Sequence, residues 1–131
     1  MLLSDKYPFL TEYFTRALST NVRALPQSIL FYGNDADAQF TFATEIARLL
    51  NCTSDKSDNC ECLNCRWIRE NSHPAVLTIS RIDNKPDDDD SKTVISIKQS
   101  QMIKEALVSA SEFHRVFIFC DRDENGNCLL Y

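Results

Sequence analysis

Cys52, Cys60, Cys62 and Cys65 crowd into one short stretch, and four thiols at that density form the donor set of a tetrahedral zinc site. With sulfur at every ligand position, such a site leaves no opening for a substrate or an activated water, so the metal would be structural. The residues between, 53–59, are polar and are expected to fold only as the metal gathers their ends. Two other readings compete: free thiols on a surface loop, and a redox pair at Cys62-x-x-Cys65, against which the two neighbouring cysteines argue. The Cys60-x-Cys62 spacing is tighter than the usual two-residue gap, which makes one of the two a poorer ligand and His73 the reserve. A histidine directly before a proline, as His73 is before Pro74, more often serves packing or hydrogen bonding.

A second set of residues has the outline of a nucleotide site without its chemistry. Counted from Gly33, the phosphate-binding pattern G-x-x-x-x-G-K-[ST] asks for Gly, Lys and a hydroxyl where this chain has Ala38, Gln39 and Phe40. Ala38 resists the positive φ that turns backbone N–H groups onto phosphate, Gln39 brings no cation, and Phe40 cannot ligate magnesium. Further along, an apolar run ends in Asp121, as a Walker B strand does, but Arg122 stands where an acid would polarise the attacking water. The vestigial site Gly33, Ala38, Gln39, Phe40, Asp121 and Arg122 therefore predicts neither nucleotide binding nor catalysis. No catalytic residue and no bound ATP are expected.

The elements that would position these residues alternate. An apolar stripe predicts a helix over 10–19, and residues 21–27, where Pro26 forbids helix continuation, read as the connector that follows. Residues 28–32 read as a buried strand, 33–37 as a loop, and 38–50 as a helix through Phe40, Ala43, Ile46, Ala47 and Leu50, capped by Asp35 or Asp37. A short helix over 63–71 follows the cysteines, its Arg66 and Arg69 offsetting the charge of a zinc tetrathiolate. Residues 75–82 read as a strand, 96–113 as a helix and 115–120 as a strand. Asp87–Asp90 between them is a self-repelling solvated run with no assigned function. The order implies an α/β chain with a parallel sheet and right-handed crossovers.

At 131 residues and 44% hydrophobic content, the chain can fill one domain's core. A net charge of −5 argues against a free-standing binder of DNA phosphate, so strong direct DNA binding is not expected. No apolar run approaches the ~20 residues of a membrane span, and the first residues do not read as a signal peptide. A cytoplasmic location is expected, with no membrane partner. There the six cysteines favour metal over a disulfide framework.

The altered phosphate loop after SILFYG, the cysteine module behind its helix, His73-Pro74, the ISIKQSQMIKEAL segment and the VFIFCD run together resemble the delta-prime subunits of the bacterial DNA polymerase III clamp loader. The resemblance runs over nearly the whole chain. A nucleotide-hydrolysing paralogue also carries the cysteine module but keeps the phosphate-loop Lys, so Gln39 and Arg122 favour the delta-prime side. The resemblance implies an incomplete AAA+-like P-loop fold with flanking helices and an inserted four-cysteine zinc module. Its parts would be an N-terminal helix and connector (1–27), a degenerate P-loop unit (28–50), the zinc module (52–65) and a strand–helix–strand (75–121), in one truncated domain spanning 1–131. It implies a subunit that does not turn over ATP and works with the other clamp-loader subunits, and through them with the sliding clamp and primed DNA. The family's neighbour-facing arginine lies in a Ser-Arg-Cys motif beyond the Walker B strand. This chain ends before it, and also before the strand that in AAA+ sheets lies between the P-loop and Walker B strands; without that strand the two would not pair, which predicts an incomplete domain, marginal as a monomer. The alternatives are an ATP-binding paralogue with a divergent P-loop and a stand-alone zinc-stabilised interaction module.

Overall fold

The computed structural model describes residues 2–20, 25–81, 83–84, 96–108 and 112–120. Asp87–Asp90, Asp121, Arg122 and Cys128 lie outside them. The chain divides into two units, Met1–Glu70 and Asn71–Tyr131.

The first unit is helical: α1 (Leu2–Lys6), α2 (Pro8–Thr20), α3 (Ala36–Asn51) and α4 (Leu63–Arg69). Pro8 opens α2 at the position where a missing N–H costs nothing, and Tyr7 O accepts from both Thr11 N and Thr11 Oγ1 at 3.0 and 2.8 Å. Phe14 and Leu18, one helical turn apart, meet Phe42 and Ile46 of α3 in the core. Phe31 closes this core by stacking on Phe42, centroids 6.1 Å apart and planes 15° off parallel. The buried stripe of α3 thus runs through Phe42 and Ile46, whereas Phe40 is only half-buried. A stripe drawn through Phe40 was displaced because Phe42 has aromatic partners on the core side.

Residues 28–32 differ from expectation. They form no strand, and Leu30 and Tyr32 are 83% and 89% exposed. β-branched and aromatic content alone does not make a strand; it needs a neighbour to hydrogen-bond with, and the sheet among the described residues pairs two other segments.

That sheet lies in the second unit, where β1 (Val76–Ile79) runs parallel to β2 (Val116–Phe119) with Val76 opposite Val116 and Ile79 opposite Phe119. Helix α5 (Ile97–Val108) comes between them in sequence, as a parallel pair requires a crossover. Its start carries a capping box: Gln99 N donates to Ser96 Oγ at 3.2 Å while Ser96 N donates to Gln99 Oε1 at 2.9 Å. The same fully buried Gln99 donates Nε2 to Ser80 O and Asp83 O at 2.6 and 3.0 Å, fastening the helix start to the exit of β1. The expected strands and helix are thus present, each shorter than its periodicity suggested, while no complete AAA+ sheet is formed by the described residues.

Candidate metal centre

The turn after α3 returns the chain so that α4 begins beside the end of α3. Cys52 is the residue that ends α3, Cys62 the one that precedes α4, and Cys65 lies in its first turn. Cys60 sits in the loop between. The four sulfurs all lie within 4.8 Å of one another. Cys52 Sγ is 3.6 Å from Cys60 Sγ and 3.9 Å from Cys62 Sγ. Four thiolates at a Zn–S length of ~2.3 Å stand about 3.8 Å apart at the corners of a tetrahedron, so the donor set and its spacing fit such an ion. Both Cys60 and Cys62 join the group despite their tight spacing. The four cysteines can hold a metal ion.

The loop is tied by the protein itself, more than its polar sequence suggested. Ser57 N donates to Asp55 Oδ1 at 3.1 Å, and Lys56 Nζ donates to Leu18 O at 3.1 Å. Arg69 donates to the carbonyls of Cys60 and Asp58 at 2.5 and 2.7 Å. That arginine therefore frames the loop through its backbone. The guanidinium that donates to a sulfur is one the sequence did not single out: Arg48, whose Nη1 lies 3.3 Å from Cys65 Sγ. Its signal was a charged residue between Ala47 and Leu49 on an otherwise apolar turn, three residues after Glu45.

Electrostatics differ among the thiols. Burial pushes Cys65 up to about 12, with Arg48 pulling the other way. Burial also works to raise Cys62, but hydrogen bonds from Thr53 and Cys65 outweigh it and bring that thiol down to about 6. His73, the reserve ligand, is not part of the group. In the second unit its Nδ1 accepts from Ala75 N at 3.0 Å, its ring meets Phe113 edge-on at 4.9 Å, and burial lowers its pKa.

The residues that the sequence reads as an altered phosphate loop are also in the first unit. Gly33 adopts φ +125°, a conformation side chains disfavour, and with Ala38 and Gln39 it lines a shallow cleft together with Tyr7 and Asp35. Phe40 does not line it. Asp35 caps α3, with Oδ1 accepting from Ala38 N at 3.2 Å. Its Oδ2 accepts from Lys6 Nζ at 2.7 Å and from Tyr7 Oη at 2.6 Å. Lys6, Tyr7 and the Ala38 amide together hold this carboxyl down at about 2. Of the two caps the sequence offers, Asp35 is the one used, while Lys6 and Tyr7, remote along the chain, carry no local signal.

These features define a mixed helix–strand chain with a cluster of four cysteines that could hold a metal ion. The chain belongs to the DNA polymerase III delta subunit family, whose model matches residues 7–125. No curated protein and no solved structure matched it. Among the described residues no helix is long and apolar enough to cross a membrane.

Proposed function

We propose that the chain serves as a non-hydrolysing, delta-prime-like subunit of the DNA polymerase III clamp loader, stabilised by one structural zinc on Cys52, Cys60, Cys62 and Cys65. Family membership supports a role in DNA replication through partner subunits, and through them the sliding clamp and primed DNA. A cytoplasmic site of action goes with that role.

The observation that carries the non-hydrolysing part is Asp35. Where a phosphate loop leaves helix amides open to an anion, here a carboxylate already accepts from Ala38 N. Lys6, a cation at hand, is paired with that same carboxylate, and Gln39 supplies no charge. A triphosphate would meet a negative group at the helix start in place of a cradle.

Equilibrium binding of fluorescent ATP at millimolar magnesium, together with phosphate release by the full chain, tests this. Neither is expected. Saturable ATP binding would instead favour the nucleotide-binding paralogue. Co-purification with the other clamp-loader subunits tests the partnership, and absence of any complex would leave a stand-alone zinc module as the better reading.

A further inference from the structure

We infer that Arg48 is a positioning residue of the cysteine centre, a buried guanidinium whose N–H···S bond to Cys65 sets how firmly the four sulfurs hold their metal. The inference rests on the reading of that centre as a zinc site and adds to it a residue outside the ligand set.

Arg48 is 1% exposed, rare for an arginine, and its donors are spent on three different parts of the unit. Nε and Nη2 grip the Glu45 carboxylate at 2.7 and 3.0 Å, which fixes the plane of the guanidinium along α3. Nη1 then reaches Ser57 O at 3.0 Å in the loop and Cys65 Sγ at 3.3 Å in α4. One planar group thus links helix, loop and sulfur. A divalent ion on four thiolates carries a surplus of two negative charges, and a fixed cation beside them offsets part of it. The N–H···S bond also draws electron density from the sulfur. That makes it a weaker base toward protons and alkylating agents, and it raises the energy needed to move an electron from sulfur to metal. Lysine cannot reproduce this, because its three N–H bonds diverge from a single nitrogen, whereas Arg48 grips the carboxylate through two nitrogens and reaches the carbonyl and the sulfur from a third.

The experiment compares the full-length wild type with Arg48→Met and Arg48→Lys, loaded separately with zinc and with cobalt(II) as a spectroscopic probe. Expected are one bound metal in the wild type, and a loss of zinc affinity of about 10–100-fold in both variants by competition with a chelator. A shift of the sulfur-to-cobalt charge-transfer band to lower energy is expected with it, a change that a merely architectural residue would not produce. Arg48→Lys keeps the buried charge and guards against loss of the fold. If the wild type binds metal but the variants retain zinc equally with an unmoved band, or if neither folds with metal present, Arg48 is only scaffold and the inference is overturned. A wild type that takes up neither metal would overturn the zinc reading itself, and the inference with it.

Discussion

Tyr7 donates its phenolic hydrogen to Asp35 Oδ2 at 2.6 Å, across a sequence gap that no local pattern spans. The contact joins the residue between α1 and α2 to the cap of α3, and Lys6 shares the same oxygen. A carboxylate held by three donors stays ionised in acid. The folded value of about 2 lies below the ordinary aspartate value, so the unfolded chain takes up the proton first.

The resulting stabilisation should be complete above the unfolded pKa of ~3.9 and should fade as pH falls through about 2. Asp35→Asn keeps a capping oxygen but removes the charge. Urea midpoints of the two proteins should differ at pH 6, and the gap should narrow below the unfolded pKa and close only as pH falls past about 2. A gap that stays constant with pH would show that the carboxylate's charge contributes nothing.

Chelation should act on the first unit. Stripping the metal leaves Cys60 and Cys65 buried with no ion to hold them near Cys52 and Cys62. Incubation with a strong chelator should lower the melting temperature and open all four thiols to a disulfide reagent, while added zinc should restore both. Unchanged thiol reactivity would separate the cysteine cluster from metal binding.

In the second unit, Gln99→Ala keeps the backbone bond from residue 99 to Ser96 Oγ but removes the other half of the capping box, Ser96 N to Gln99 Oε1, and takes the Nε2 donor away from Ser80 O and Asp83 O. The cost should be about 1–3 kcal/mol, read from denaturant unfolding. Gln99→Glu should not rescue it, since a carboxylate cannot donate to those carbonyls.

Phe42 touches Tyr7, Phe14 and Phe31 through ring contacts near 6 Å, at 6.0, 6.1 and 6.1 Å between centroids. Phe42→Ala should destabilise the protein by about 3–5 kcal/mol, whereas Phe9→Ala on the exposed side of α2 should change it little. Equal effects of the two would mean that the aromatic cluster is not the core.

Local patterns were the legible part. The helices over 36–51 and 97–108 and the parallel strands follow from apolar spacing, and the four sulfurs announce themselves by density alone. What stayed hidden depends on partners distant in sequence. Residues 28–32 have strand composition, but a strand also needs a neighbour to pair with. Arg48 reads as a surface charge until the cysteine loop folds over it, and Gln99 reads as a polar helix residue until Ser80 and Asp83, just after β1, supply two carbonyls. The Ser96-x-x-Gln99 spacing was the clue to the latter.

Helices ordinarily unravel from their ends, and α3 has neither end loose. Carboxylate chemistry seals its first turn through Asp35, and sulfur with guanidinium chemistry seals its last through Cys52 and Arg48. Melting of this unit would therefore have to begin outside α3, and the helix should be the last part to fray until acid releases one end or loss of any metal the cysteines hold releases the other.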